Sequence, residues 1–190
     1  MCARAPRVAP RTPVVLIVHV RDLGRTSNTV RLLSLAIPGA TVLCHGAAPA
    51  PTDPAAHVPA GHTPLVLFPG HGARALTPEL VASLPGPPAL VVPDGNWRQA
   101  SRMVKRLPLL TGAVKVELPK RAFAGAAVRR NSAGHHMSTY EAVAQTLGVL
   151  EGDDIAGPLF DFYRRATDRM LLVRGRLTLR DVYGGIDGPS

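Results

Sequence analysis

The chain has 190 residues, 46% of them hydrophobic, and a formal net charge of +9 at pH 7. This length fits one domain whose core is large enough to fold unaided, and no apolar run approaches the ~18 residues of a membrane span. The two cysteines, Cys2 and Cys44, form no disulfide or metal-binding pattern, which favours the reducing cytoplasm. These features exclude membrane-spanning and disulfide-stapled classes and predict one cytoplasmic domain over residues 1–190.

Most of the positive charge lies in one stretch of the sequence. Residues 98–130 contain nine lysines or arginines and one acid, Glu117, whereas the rest of the chain is nearly balanced. A localised basic surface is typical of proteins that bind a polyanion, most often nucleic acid. The alternative is a basic face that contacts only solvent.

Predicted strands and helices alternate along the chain. Apolar, β-branched runs indicate strands, apolar residues at helical spacing indicate helices, and proline and glycine clusters end them. In chain order we predict a strand at 14–20, a polar loop at 21–27, a helix at 28–36, a strand at 41–44, an irregular connection at 46–64 and a strand at 65–68.

The second half of the chain continues this pattern. Thr77 and Pro78 predict a helix start, as N-cap and first helical residue, and Ser138 with Glu141 fits a capping box. Further strands are predicted at 90–92, 114–118 and 126–128, and further helices at 97–107, 142–150 and 158–173. The alternation predicts an α/β fold with a mostly parallel sheet and helices on both faces.

The turn from Asp94 to Trp97 carries side chains capable of chemistry. It joins a predicted strand to a predicted helix, and open α/β sheets bind ligands at the carboxyl ends of their strands. Asp94 is a candidate general base or orienting carboxylate, or else it only shapes an Asx turn. Trp97, the single tryptophan, is a candidate for stacking on a base, or else a core aromatic.

The helix predicted after this turn is amphipathic. Ala100, Met103, Val104 and Leu107 fall on one face at helical spacing. The other face carries basic residues without acids to pair with them, and these are candidate phosphate ligands: Arg98, Arg102, Lys105 and Arg106.

Two further motifs are weaker. Gly70, Gly72 and Ala75 form G-x-G-x-x-A between a strand and a helix, and Asp94 follows 24 residues after Gly70, close to the spacing of a dinucleotide-binding fold. The Arg129-Arg130 pair could bind a phosphate or a carboxylate, or lie free on the surface. The seven histidines show no metal-site spacing, and no metal is predicted.

Taken together, four blocks resemble the DTW-domain family, the tRNA-uridine aminocarboxypropyltransferases. They follow one another within residues 14–150: Val18-His19 with Arg25-Thr26-Ser27-Asn28-Thr29 and Arg31-Leu32-Leu33; Leu67-Phe68-Pro69-Gly70 with Ala73; Asp94-Gly95-Asn96-Trp97-Arg98-Gln99-Ala100; and Val128-Arg129-Arg130 with Met137-Ser138-Thr139-Tyr140-Glu141-Ala142.

The chain departs from the family pattern twice. The family signature is Asp-x-Thr-Trp, and Asn96 stands where relatives have the threonine. Many members also carry a cysteine-rich N-terminal segment that resembles a metal site. This segment is expected to be absent here, and zinc with it.

The resemblance implies S-adenosylmethionine as co-substrate and a fold related to the knotted SPOUT enzymes. The implied reaction transfers the 3-amino-3-carboxypropyl group to N3 of a tRNA uridine and releases 5′-methylthioadenosine. Asp94 is then the expected base or orienting acid. Trp97 is expected to line the ligand site or stack on a ring. Asn96, in the same turn, is expected to belong to the catalytic group with Asp94 and Trp97.

The resemblance also implies where the co-substrate and tRNA bind. The residues expected around the co-substrate are Leu67, Phe68, Pro69, Gly70, Ser138 and Thr139, with Arg129 or Arg130 on its carboxylate. Those expected to contact tRNA are Arg98, Arg102, Lys105 and Arg106 on the basic helix, together with Arg25 and Asn28.

Three other functions stay open at this point. One is a SPOUT-like RNA methyltransferase with the same co-substrate, and another is an RNA-binding protein without catalysis. The third is a dinucleotide-dependent oxidoreductase built on Gly70 and Gly72. A monomer and a homodimer are equally compatible with the sequence.

Overall fold

A computed structural model describes residues 5–25, 28–47, 53–118 and 137–183 of the chain. The strands are β1 (Val14–His19), β2 (Thr41–His45), β3 (Thr63–Leu67), β4 (Arg74–Ala75), β5 (Pro88–Asp94) and β6 (Val114–Glu117). The α-helices are α1 (Val20–Leu23), α2 (Val30–Ala36), α3 (Pro78–Ala82), α4 (Trp97–Arg106), α5 (Pro108–Gly112), α6 (Thr139–Glu151) and α7 (Asp153–Val173). Short 3-10 helices span Pro54–His57 and Leu179–Asp181.

The six strands form one parallel sheet in the order β2-β1-β5-β3-β6-β4. Parallel strands are covered on both faces and therefore need continuous apolar sequence. The central strand β1 meets this need, because every residue from Val14 to Val18 is buried. The predicted α/β fold with a parallel sheet is confirmed.

Helices pack on both faces of the sheet, as predicted. On one face, α2, α3, α6 and α7 share a core with Leu16 and Leu90. On the other face, α4 and α5 share a core with Ile17 and Val91. Neighbouring residues of a strand point to opposite faces, so each central strand supplies both cores. Full burial of one such side chain stabilises the fold by about 1.5–3 kcal/mol.

The connections that leave β1 and β5 run in opposite directions. From β1 the chain passes through α1 and α2 to the outer strand β2, on one side of β1. From β5 it passes through α4 and α5, on the other face, to β6. A crevice therefore opens between the carboxyl ends of these two strands, where Val18 pairs with Asp94. Open α/β sheets bind ligands at such a switch point.

Several elements differ from the predicted ones. Residues 20–23, predicted to end a strand and begin a loop, form α1 instead. Its start is capped by His19, whose Nδ1 accepts a hydrogen bond from the Arg21 N–H at 3.2 Å. The five-residue helix α5 and the two-residue strand β4 escaped prediction because neither is long enough to show a period.

The last helix begins at Asp153 rather than at residue 158, so Pro158 lies inside it. Gly152, with a φ of +94°, makes the sharp turn out of α6, and only glycine adopts this conformation readily. Asp153 and Asp154 then occupy the first turn of α7, where their charge is favourable to the helix dipole.

The predicted strand at 126–128 lies outside the described residues. The path from β6 to α6 lies there too, so a knotted chain stays a prediction. None of the described helices is long and apolar enough to cross a membrane.

Candidate active site

A polar cleft of about 220 Å³ opens at the switch point between β1 and β5. Three segments line it: the chain after β1, the turn after β5 and the start of α6. The lining residues are Asp22, Arg25, Asn28, Thr29, Asp94, Gly95, Asn96, Met137, Ser138 and Thr139. Six of the predicted site residues meet here, namely Arg25, Asn28, Asp94, Asn96, Ser138 and Thr139.

Asp94 ends β5, and two donors hold its half-buried carboxylate. Thr139 Oγ1 donates a hydrogen bond to Oδ1, and Asn28 Nδ2 donates one to Oδ2 at 3.4 Å. Burial raises the pKa of Asp94 above its ordinary value, and the charge of Asp22 adds to this effect. The hydrogen bonds from Thr139 and Asn28 oppose it. A carboxylate whose pKa is raised is a stronger base than one in water.

Asn28 ties the loop after β1 to this carboxylate. Its Nδ2 also donates to the backbone carbonyl of Asp22 at 2.8 Å, and its Oδ1 accepts from the Val30 N–H at 2.8 Å. The amide predicted to contact tRNA is therefore engaged inside the cleft, where it fixes the start of α2 against Asp94.

Asp22 is a cleft residue that sequence reasoning missed. It is 7% exposed, and its Oδ1 forms an ion pair with Arg25 Nη1 at 3.0 Å. Its Oδ2 is buried and has no hydrogen-bond partner among the described residues. The signal was present in the sequence, because Asp22 follows a buried strand just as Asp94 ends one. The sequence pattern instead places Asp22 in the predicted polar loop at 21–27.

Asn96 is the N-cap of α4. Its Oδ1 accepts from the Gln99 N–H at 3.0 Å, and Gln99 Oε1 accepts from the Asn96 N–H at 2.7 Å, which completes a capping box. Threonine also caps helices through its side-chain oxygen. Asn96 thus has a capping role that the side-chain oxygen of a threonine at this position could also fill.

Gly95 allows the turn to sit close to β1. A Cβ at this position would lie 3.1 Å from Gln99 Cβ and 3.4 Å from His19 Cβ. Gln99 Nε2 is also within 3.2 Å of His19 Nδ1, so the helix start and the end of β1 are hydrogen-bonded to each other. A side chain at position 95 would push these two segments apart.

Trp97 lies on the surface, and the alternative of a core aromatic is wrong. The residue is 62% exposed, and its ring stacks on Phe68 with a centroid distance of 4.8 Å and an interplanar angle of 19°. Leu67 is buried, whereas Pro69 and Gly70 are exposed at the end of β3. Phe68 and Gly70 lie beside Trp97. The described cleft lining includes none of the four residues predicted near the co-substrate: Leu67, Phe68, Pro69 and Gly70.

The amphipathic character predicted for α4 is confirmed. Ala100, Met103 and Val104 are buried against the sheet. The basic residues are all exposed, and no described acid forms an ion pair with them: Arg98, Arg102, Lys105 and Arg106. Because α4 begins at the cleft, this basic face starts beside it.

The glycine motif lacks the geometry of a dinucleotide site. Ala75 lies in β4, and the next helix begins only at Pro78, whereas the motif requires the glycines to open a helix. The oxidoreductase alternative is therefore not supported. Arg129 and Arg130 lie outside the described residues. Within the described ranges, no three histidine, cysteine, aspartate or glutamate side chains are grouped to hold a metal ion.

Comparison with known proteins identifies the family of the chain. The family model of the DTW domain matches residues 1–171, which include every residue that lines the cleft. No curated protein and no solved structure matches the chain. DTW-domain proteins are tRNA-modifying transferases that in general use S-adenosylmethionine as donor. The chain thus belongs to the DTW-domain family.

Proposed function

We propose that the protein transfers the 3-amino-3-carboxypropyl group of S-adenosylmethionine to N3 of a tRNA uridine and releases 5′-methylthioadenosine. The observation that carries this proposal is the half-buried carboxylate of Asp94, held by Thr139 and Asn28 at the switch-point cleft. Membership of a tRNA-modifying family supports the choice of substrate and donor. Since tRNA is found in the cytoplasm, we propose that location.

The cleft suits a donor that carries an amino-acid group. Asp22 has a buried carboxylate oxygen without a described partner, which suits an ammonium group. Arg25 stands beside it, with a side chain 60% exposed, and a guanidinium binds carboxylate well. The cleft of about 220 Å³ is smaller than the roughly 300–1,000 Å³ of most ligand pockets. The described residues therefore supply part of the donor site, and a role for Arg129 or Arg130 stays a prediction.

The proposed chemistry needs a base and alignment. The donor supplies a methylene carbon whose bond to the sulfonium sulfur breaks as 5′-methylthioadenosine leaves. Asp94 accepts the proton of uridine N3 while the bond from N3 to that carbon forms. Thr139 and Asn28 hold the two oxygens of this carboxylate, so its orientation is set before the substrate binds.

The surface around the cleft suits RNA. Trp97 is held by Phe68 on one side and remains largely exposed, so it can stack on a nucleobase. Such stacking contributes about 1–3 kcal/mol per base. The basic face of α4 begins beside this ring and binds phosphates of the same molecule.

Product identification tests this function. The protein is incubated with unmodified tRNA and S-adenosylmethionine, the modified nucleoside is identified by mass, and the released adenosine derivative by chromatography. The proposal expects 5′-methylthioadenosine and an aminocarboxypropyl uridine. Release of S-adenosylhomocysteine would instead identify a methyltransferase. Retention of tRNA without either product would leave an RNA-binding protein.

A further inference from the structure

A second group of arginines lies near the end of α7, outside the basic stretch described above. Residues 164–180 contain six arginines and one acid, Asp168. Overall charge counts hide this group because acids precede it in α6 and the first half of α7. The family match ends at residue 171, so Arg174, Arg176 and Arg180 lie beyond it.

The packing of α6 against α7 positions these arginines at the cleft end of the sheet. The two helices are joined by Gly152 alone, and the rings of Tyr140 and Tyr163 stack at 4.7 Å. Tyr163 is thus level with the first turn of α6. That turn begins with Thr139, which lines the cleft. From Tyr163, α7 continues to Val173, which is about 15 Å at 1.5 Å per residue. The arginine-rich end projects past α6 on the face opposite α4.

The nearby acids are engaged elsewhere. Asp161 accepts a hydrogen bond from Tyr183 Oη at 3.1 Å, and Asp168 accepts one from the Tyr183 N–H at 3.0 Å. Asp181 accepts from the hydroxyl and the N–H of Thr178, at 2.6 and 3.1 Å. The exposed guanidinium groups that follow α7 therefore form no ion pair with any described residue: Arg174, Arg176 and Arg180.

The dipole of α7 accounts for Arg174 at most, and not for the other two arginines. Cations stabilise a helix when they lie in its last turn, and the last turn of α7 contains no basic residue. Arg174 is the C-cap of α7 and can interact with its dipole, whereas Arg176 and Arg180 lie farther along the chain, beyond that helix. Three exposed guanidinium groups within seven residues, none of them ion-paired to a described residue, instead suit a ligand that presents several phosphates in a row.

We infer that Arg174, Arg176 and Arg180 form a second phosphate-binding surface, which contacts tRNA on the side of the cleft opposite α4. This inference rests on the proposed function. An RNA bound at the cleft would meet the basic face of α4 on one face of the sheet and this arginine surface on the other. An anionic membrane is the competing partner, because Val173 and Leu179 are also exposed. We favour RNA because both basic surfaces lie at the same end of the sheet as the cleft.

Salt-dependent tRNA binding by the full chain tests this surface. We compare wild type with Arg174→Ala/Arg176→Ala and with Arg7→Ala/Arg11→Ala, a control that removes two exposed arginines before β1, at the opposite end of the sheet. Each lost phosphate contact lowers the slope of log K against log salt by about 0.7–0.9. For Arg174→Ala/Arg176→Ala, we expect the magnitude of this slope to fall by roughly 1.5. We expect tRNA to bind to this variant about tenfold more weakly near physiological salt. The control should keep both values.

The same variant should raise KM for tRNA and leave kcat unchanged, because these arginines are remote from the reacting atoms. Arg174→Lys/Arg176→Lys should retain most of the affinity for tRNA. This result would show that the alanine variant binds more weakly because it has lost charge and not because it is misfolded. An unchanged salt slope for Arg174→Ala/Arg176→Ala overturns the inference. The inference is also overturned if this variant binds tRNA normally but no longer binds phosphatidylserine vesicles. If Arg102→Ala/Lys105→Ala weakens tRNA binding and the C-terminal variant does not, only this inference fails. A wild-type protein without tRNA affinity overturns the proposed function as well.

Discussion

Asp94 is the residue on which the proposed chemistry depends. Its local sequence favoured a base and an Asx turn equally, because Asp-Gly is common in turns. The contacts that distinguish the two interpretations come from far along the chain: Thr139 is 45 residues away and Asn28 is 66 residues away. Because both donors lie far away in sequence, no local pattern predicts the hydrogen bonds or the burial of this carboxylate.

Substitutions beside Asp94 should move the acidic limb of the pH–rate profile in opposite directions. Asp94 must be ionised to accept a proton, so kcat/KM falls as the pH drops through its pKa. Thr139→Val removes a hydrogen bond that lowers this pKa, and the limb should move to higher pH. Asp22→Asn removes a charge that raises it, and the limb should move to lower pH. Coinciding limbs in the three proteins would rule out Asp94 as the titrating base.

The stability of Asp94→Asn should depend on pH relative to wild type. The pKa of Asp94 is higher in the folded than in the unfolded protein, so its ionisation favours unfolding. Its contribution to stability is present below the unfolded pKa and is lost as the pH rises through the folded pKa. Asparagine does not titrate. As the pH rises from the unfolded to the folded pKa of Asp94, the free energy of unfolding of the variant should therefore increase relative to that of wild type. Urea denaturation measures both free energies. A constant difference would contradict the raised pKa.

Asn96 should be replaceable by threonine but not by alanine. Asn96→Thr keeps an oxygen that can cap α4, so folding and transfer should remain near wild type. Asn96→Ala loses the cap and should destabilise the protein by about 1 kcal/mol, as measured by chemical denaturation. If Asn96→Thr folds normally but has lost transfer, the amide takes part in the chemistry and capping is an incomplete account.

Among the elements, α4 and α6 were the most predictable. Each begins with a capping box, and α4 also has a clear apolar face, so several local signals agree. The short elements α1, β4 and α5 were missed because two to five residues show no period. The predicted start of α7 at residue 158 is wrong. Proline is favoured at the first helical position, but Pro158 lies inside a helix that begins at Asp153.

The basic face of α4 should account for part of the salt dependence of tRNA binding. Arg102→Ala/Lys105→Ala removes two exposed charges from this face, so the slope of log K against log salt should fall by up to about two. The buried face of α4 is untouched, and thermal stability should stay close to wild type. Fluorescence titrations over a range of salt concentrations measure the slope. An unchanged slope would mean that α4 does not contact phosphate.

At the scale of the whole molecule, the order of the strands creates the site. The pairing of β1 with β5 joins residues 76 positions apart, such as Val18 and Asp94. Hydrophobic patterns alone do not specify which strands are neighbours. Only this pairing brings Asp22 and Asn28 beside Asp94. The parallel sheet itself was predictable from the alternation of strands and helices, whereas the composition of the cleft was not.

The charge of the molecule is arranged around this cleft. The window at 98–130 was recognisable from sequence because its acids are few, and its helical part forms the exposed face of α4. The arginines after α7 were hidden in the average by acids earlier in the same helix. Because α7 runs antiparallel to α6, its arginine-rich end lies toward the cleft. The acids at the start of α7 lie at the other end of the helix.

The catalytic role of Asp94 is tested by measuring group transfer with Asp94→Ala. Wild type, Asp94→Ala and the exposed-acid control Glu117→Ala are mixed with S-adenosylmethionine and limiting tRNA, and released 5′-methylthioadenosine is measured over a single turnover. Affinity for tRNA is measured on the same samples. We expect Asp94→Ala to lose transfer while binding tRNA nearly as wild type does, and Glu117→Ala to retain both. Normal transfer by Asp94→Ala would contradict the catalytic role of this carboxylate.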